Sequence, residues 1–183
     1  MLSNADCVVT VSDTIAKELK DLGAKHTEVI TNGYDIDDIP EEKPELDKKF
    51  SIVHLGSINK DRNHPVLIQV LKELIINNED FKNDFEFKLI GKVDHSLIND
   101  IEIAGLSSNL NYIEYISHDM VMHELMKARL LYLPINNTPN AKGIVTGKFF
   151  EYLASKRPIL TIGPTEGDIS KILEKTKSGE VFD

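Results

Sequence analysis

Short apolar runs alternate with amphipathic stretches along almost the whole chain, the signature of parallel strands joined by helical crossovers. Runs rich in Val, Ile, Leu, Phe or Tyr predict strands over residues 6–11, 28–31, 50–55, 85–90, 111–116, 130–134, 158–162 and 180–182. Most lack a regular polar partner position, as strands covered on both faces should. Between them, residues 66–76 place Leu67, Val70, Leu71 and Leu74 at helical core spacing. Pro65 suits the first position of that helix, with Asn63 or His64 as its cap. Further helices are predicted over 12–22, opened by Ser12 and closed at Gly23, and over 119–128, with Met122, Leu125 and Met126 turned inward. Weaker patterns cover 96–104 and 166–175. The fold class that follows is α/β, a Rossmann-like doubly wound parallel sheet.

Residues 33–49 break the alternation. They combine a turn at Asn32-Gly33 with Pro40, Pro44 and many charges, and read as a linker. It separates an opening piece, residues 1–32, too small to hold a core alone, from a main domain over residues 50–183.

Composition narrows the partners. A chain of 183 residues with 41% hydrophobic content supports one sizeable core. Twenty-one Lys and Arg against 30 Asp and Glu leave a formal charge of −9, which repels nucleic acid and anionic lipid. No basic run exceeds pairs such as Lys48-Lys49, so nucleic acid is not expected as a partner. Cys7 is the only cysteine and sits in an apolar run, so no internal disulfide forms and the thiol is expected to be buried. No stretch approaches the roughly twenty apolar residues of a membrane span, and the start lacks the features of a signal peptide, which gives cytoplasmic residence as the expectation.

Candidate chemistry concentrates in two loops after strands. The first, residues 56–63, offers Gly56 for close backbone approach, with Lys60 and Arg62 able to reach an anion. The second, residues 136–146, runs into a helix where Thr146 and Gly147 lie among amides that have no intrahelical acceptor and Lys148 adds a positive charge. Phe149 and Leu153 share one face of that helix, while Glu151 points away on the side of Gly147 and Lys148. Amides and lysine suit phosphate, and a carboxylate one turn on suits sugar hydroxyls. The plainer readings are that Glu151, Lys60 and Arg62 are solvated surface charges, and that residues 91–94 form a connecting turn.

These residues resemble the donor-binding C-terminal domain of GT-B glycosyltransferases, the large group that takes nucleotide-activated sugars. Residues 5–13 look like the last strand of that family's N-terminal domain, and Asn32-Gly33-Tyr34-Asp35 is similar to its interdomain segment. Residues 52–57 resemble the first strand and glycine turn of the donor domain, and 128–134 the strand entering the donor loop. Residues 150–160 resemble the helix that carries the second Glu of the family's Glu-x7-Glu motif.

The resemblance implies a nucleotide sugar as substrate, no cofactor and no metal, with Gly56, Ser57, Lys60, Arg62, Gly143, Thr146, Gly147, Lys148 and Glu151 forming the donor site. Glu151 would hold the ribose, Arg62 the diphosphate, and Thr146 and Gly147 would offer amides. Ser57 stands where the family carries arginine, and Gly143 where it carries the first Glu. The catalytic residue stays unassigned, and the acceptor, whether glycan, lipid-linked or small molecule, stays open. On this reading residues 1–32 end an acceptor domain, the donor domain is truncated at its C-terminus, and the fragment alone is inactive. Membrane contact at the inner face would belong to the missing half.

Two local patterns point elsewhere and are set aside. Asp35-Ile36-Asp37-Asp38 imitates a metal-binding Asp-x-Asp but lies in the linker. His118, His123 and Glu124 match no strong zinc spacing, although His118 could edge a base pocket. Two rival functions remain on the same architecture: a non-catalytic regulatory or interaction module, and a nucleotide-sugar epimerase.

Overall fold

A computed structural model describes residues 2–183. The elements in chain order are β1 (Val8–Thr10), α1 (Asp13–Asp21), β2 (Thr27–Val29), β3 (Phe50–Leu55), α2 (Pro65–Asn77), α3 (Glu79–Asp84), β4 (Phe85–Ile90), α4 (His95–Ile103), β5 (Leu110–Ile113), α5 (Val121–Lys127), β6 (Leu130–Pro134), α6 (Gly147–Ala154), β7 (Ile159–Ile162), α7 (Asp168–Thr176) and β8 (Gly179–Phe182). Strands β3 to β8 form one parallel sheet in the order β5-β4-β3-β6-β7-β8. The order runs outward from β3 in one direction and from β6 in the other, so the chain changes direction between those two strands, as doubly wound sheets do.

Alternate residues of each strand feed two cores. Ile52, Phe87 and Leu89 face α2 and α4, while Val53, Ile90 and Leu131 face α5, α6 and α7. All eight predicted strands form, three of them with the predicted ends. α3 was not anticipated: it is a short helix capped by the Asn78 side chain, which accepts from the Phe81 amide.

Two expectations are corrected. On α2 the buried residues are Leu67, Ile68, Leu71 and Ile75, whereas Val70 and Leu74 are 46% and 42% exposed. That helix is apolar at eight of thirteen positions, counting Val66, Leu67, Ile68, Val70, Leu71, Leu74, Ile75 and Ile76. Two adjacent stripes therefore fit its periodicity, and packing on the sheet selects the one through Ile68 and Ile75. Cys7 is exposed, not buried, because it precedes β1 in a two-stranded parallel sheet with β2 that has no hydrogen bond to the main sheet.

The β1–α1–β2 unit is fastened to the main domain through α1. Ser12, 3% exposed, donates its hydroxyl to Gly143 O at 2.8 Å. Thr14 donates its amide and its hydroxyl to the buried Asp168 carboxylate at 2.8 and 3.0 Å. The end of the 33–49 segment is also tied down: Asp47 accepts from Lys88 Nζ at 2.9 Å, and its carbonyl from Arg129 Nε at 2.9 Å.

Candidate functional site

β3 and β4 stay together beyond their ends. All six residues of β3 pair with β4, the Gly56 amide donates to Ile90 O, and Ile58 bridges in parallel to Val93. Gly56 and Gly91 both have positive φ, at 123° and 118°. A Cβ on Gly91 would come within 2.6 Å of Gly56 O, so both glycines are needed for the close turn.

On its other side β3 parts early. It pairs with β6 only at Ile52↔Leu130 and Val53↔Leu131, and the opening lies at the carboxyl ends of the strands, where the direction of winding reverses. That is where ligands of open α/β sheets lie. Both loops singled out in the sequence border this crevice. Arg62 spans it: its Nε donates to Asn136 Oδ1 at 2.6 Å, and its Nη1 to Ser57 O at 3.2 Å. The Asn137 amide donates to Asp61 O at 2.8 Å and ties the same two loops together.

α6 opens into the crevice. Thr146 is its N-cap in extended geometry, but its side chain makes no cap hydrogen bond and its buried Oγ1 has no partner. The amides of Gly147 and Lys148 find no backbone acceptor among the described residues. A helix start of this kind carries partial positive charge. Lys148 Nζ lies against Gly56, where a Cβ would overlap it. Burial, and then the nearby Arg62 charge, lower the Lys148 pKa to about 8, against the opposing pull of Glu151. Glu151 is half-buried one turn along.

Of the residues singled out in the sequence, Gly56, Ser57, Arg62, Lys148 and Glu151 are brought together, with Lys148 Nζ against Gly56, Arg62 on Ser57 O, and the Arg62 and Glu151 charges both felt at Lys148, and Thr146 and Gly147 adjoin Lys148 at the start of α6. Lys60 is exposed, and its charge reaches Asp94, whose carboxyl is held below its ordinary value first by the Ser96 hydroxyl and then by the Ser96 amide. Gly143 lies apart from the others, buried beneath α1, where a Cβ would come within 2.8 Å of Ile15 Cγ1. His118 faces Asp38 of the linker at 3.4 Å. Among the described residues no three His, Cys, Asp or Glu side chains gather as a metal would require.

Three contributors escaped sequence reading. Asn136 anchors Arg62. Tyr152 is fully buried on α6, and its hydroxyl accepts from the Leu55 amide at 2.9 Å. His54, 1% exposed, donates from Nδ1 to Tyr132 O at 2.9 Å. Burial, then the Lys148 charge, hold its pKa down to about 3, so the ring is neutral and Nδ1 carries the proton. The available signal was a polar group in an apolar setting: a histidine within a strand and a tyrosine on the inner face of a helix must each find a partner.

A cavity of about 350 Å³ adjoins the 136–143 loop, lined in part by His64, Asn136, Lys142 and Pro164. A larger hollow of about 880 Å³ lies at the opposite, amino ends of β6, β7 and β8 and includes none of the candidate residues. The crevice is the candidate site because it lies at the carboxyl ends of the strands, where ligands of open α/β sheets lie; the larger hollow, although Lys156, Arg157 and Lys177 line it, lies at the opposite ends.

No curated protein sequence matches the chain. Solved structures do. Anabaena HepE, solved in complex with UDP, superposes with a TM-score of 0.74 at 15% identity over 97% of this chain and 50% of its own. WaaG, a glycosyltransferase involved in lipopolysaccharide biosynthesis, gives 0.70 at 13% identity over 95% of this chain and 48% of its own. The C-terminal domain of the group 1 glycosyl transferase LpcC from Francisella tularensis gives 0.54 at 16% identity over 82% and 80%. At these identities the likeness is one of fold, and this chain spans about half the length of HepE and WaaG. The family model described as glycosyl transferases group 1 matches residues 35–183, which take in the whole six-stranded sheet and both loops of the crevice, and the chain belongs to that family.

Proposed function

We propose that residues 50–183 bind the nucleoside-diphosphate part of a sugar donor in the β3/β6 crevice, as the donor half of a glycosyltransferase. One observation carries this reading: the free amides of α6, Lys148 and Arg62 converge where the sheet opens, with Glu151 one turn further along the same helix. Amides and cations suit a diphosphate, and a carboxylate suits the ribose hydroxyls. The UDP bound in HepE, which shares the fold, supports a nucleotide as the ligand.

Glycosyl transfer breaks the bond between an anomeric carbon and the diphosphate, and negative charge grows on the departing oxygen. Donors fixed in place before the reaction stabilise that charge more strongly than they stabilise the ground state. The α6 amides, Arg62 and Lys148 take this role. The acceptor and any general base come from the other half of a two-domain enzyme, to which residues 1–32 belong, with residues 33–49 as the connection. The chain alone therefore binds donor and transfers nothing.

Calorimetric titration with UDP, GDP and ADP tests the site. One of the three binds, and Glu151→Ala weakens it on the order of tenfold without lowering Tm. Absence of binding by all three overturns the assignment. Sugar transfer by the purified chain would overturn the statement that it is inactive alone.

A further inference from the structure

Where β3 and β6 part, two backbone groups lose the partners that a continued ladder would have given them: the amide of Leu55 and the carbonyl of Tyr132. Both are satisfied by side chains. Tyr152 Oη accepts from Leu55 N at 2.9 Å, and its own proton faces Leu55 O and Tyr132 O, each 3.4 Å away. His54 Nδ1 donates to Tyr132 O at 2.9 Å, and the two rings meet edge to face with centroids 6.1 Å apart. His54 Nε2 is buried with no hydrogen-bond partner, and the Gly56 backbone lies close enough to act on the ring.

The placement of these groups matters more than their number. Tyr152 follows Glu151 on α6, and Leu55 precedes Gly56. The hydroxyl therefore links the helix that carries Lys148 and Glu151 directly to the turn against which Lys148 Nζ rests. His54 fastens the other lip of the opening, on β6. Neither side chain is exposed, so neither can touch a ligand.

We infer that Tyr152 and His54 are positioning residues: together they cap the parted strands and set the spacing between the Gly56 turn and the start of α6. This rests on the donor-site reading above. A diphosphate gripped from both lips requires the lips at one separation, because sites of fixed donors tolerate displacements of only about 0.5 Å. Tyr152→Phe keeps the ring and its packing but leaves the Leu55 amide buried without an acceptor, and the strand end and α6 adjust relative to each other to relieve it.

The test uses the purified chain and calorimetric titration with UDP, GDP and ADP. Tyr152→Phe weakens the nucleotide that wild type binds on the order of tenfold. Leu173→Ala, a core change on α7 with a Tm loss at least as large, leaves the affinity within about twofold of wild type. His54→Leu behaves as Tyr152→Phe does, and His54→Asn, which puts an amide donor near the Nδ1 position, restores part of the affinity. In the ligand-free protein, NMR titration of the Lys148 side chain gives a higher midpoint in Tyr152→Phe, because the amine is released from the Gly56 turn into water. Wild-type binding together with unchanged affinity and unchanged Lys148 titration in Tyr152→Phe overturns the positioning role alone. Failure of wild type to bind any of the three overturns the donor site, and this role with it.

Discussion

Strand β3 has two neighbours and treats them differently. Toward β4 it pairs along its whole length, the loops beyond continue the contact, and the adjoining core contains Phe85, Phe87 and Leu89 with almost no exposure. Toward β6 it pairs at two registers and then separates, and polar side chains replace the ladder. The closed seam gives the domain rigidity. The open seam gives it a place where amides, cations and a carboxylate can face a ligand. One strand serves both purposes because its two edges are independent hydrogen-bonding surfaces.

The contrast can be broken from the closed side. Phe87→Ala, at 1% exposure, costs about 3–5 kcal/mol in denaturant unfolding, and the variant that remains folded still binds nucleotide. Gly91→Ala combines a positive φ with a Cβ 2.6 Å from Gly56 O, and costs about 1–3 kcal/mol. Because the group it displaces belongs to the Gly56 turn, affinity falls along with Tm, which distinguishes it from Phe87→Ala.

The open side is sharpened by pH. Lys148 has its pKa lowered to about 8, so it is charged below that value and neutral above. In calorimetric titrations above pH 7, where the phosphate of the nucleotide is already ionised, affinity is expected to hold until about pH 7.5 and then to decline, by at most about tenfold per pH unit for one proton. Folding linkage has the opposite sign. Between about 8 and the ordinary 10.5 the unfolded chain holds the Lys148 proton and the folded one does not, so this residue's contribution raises stability as pH climbs through that window. The smallest effect separates stability from function most clearly. Gly147 has no atom within 4 Å of an added Cβ, so Gly147→Ala raises stability by up to about 1 kcal/mol. A methyl group at the mouth of α6 nevertheless obstructs phosphate approach and lowers affinity in the same titration.

The sheet was legible because buried parallel strands announce themselves as unbroken apolar runs: β3, β4 and β6 begin and end where the pattern predicts. Helix phase was harder to read. α2 has more apolar positions than its contact face needs, and only the sheet decides which are covered. At the candidate site, Thr146, Gly147, Lys148 and Glu151 are legible from the loop-to-helix pattern, and the structure puts Lys148 beside Gly56 and Arg62 of the first loop. Gly143 is a candidate only because it stands where the resembling family carries the first Glu of its paired motif, yet its surroundings are set by Ile15 and Ser12, which lie more than a hundred residues away in the chain. Tyr152 and His54 were passed over for a related reason. Their partners are backbone groups freed by the parting of two strands, and register is not visible in a single sequence.

Ser12 and Ile15 grip the carbonyl and the bare Cα of Gly143, while Thr14 holds the first residue of α7. α1 therefore acts as a handle on the segment that leads to Thr146. The segment before Thr146 and the start of α7 are thus moored to one and the same helix, and neither shifts against α1 without giving up a hydrogen bond.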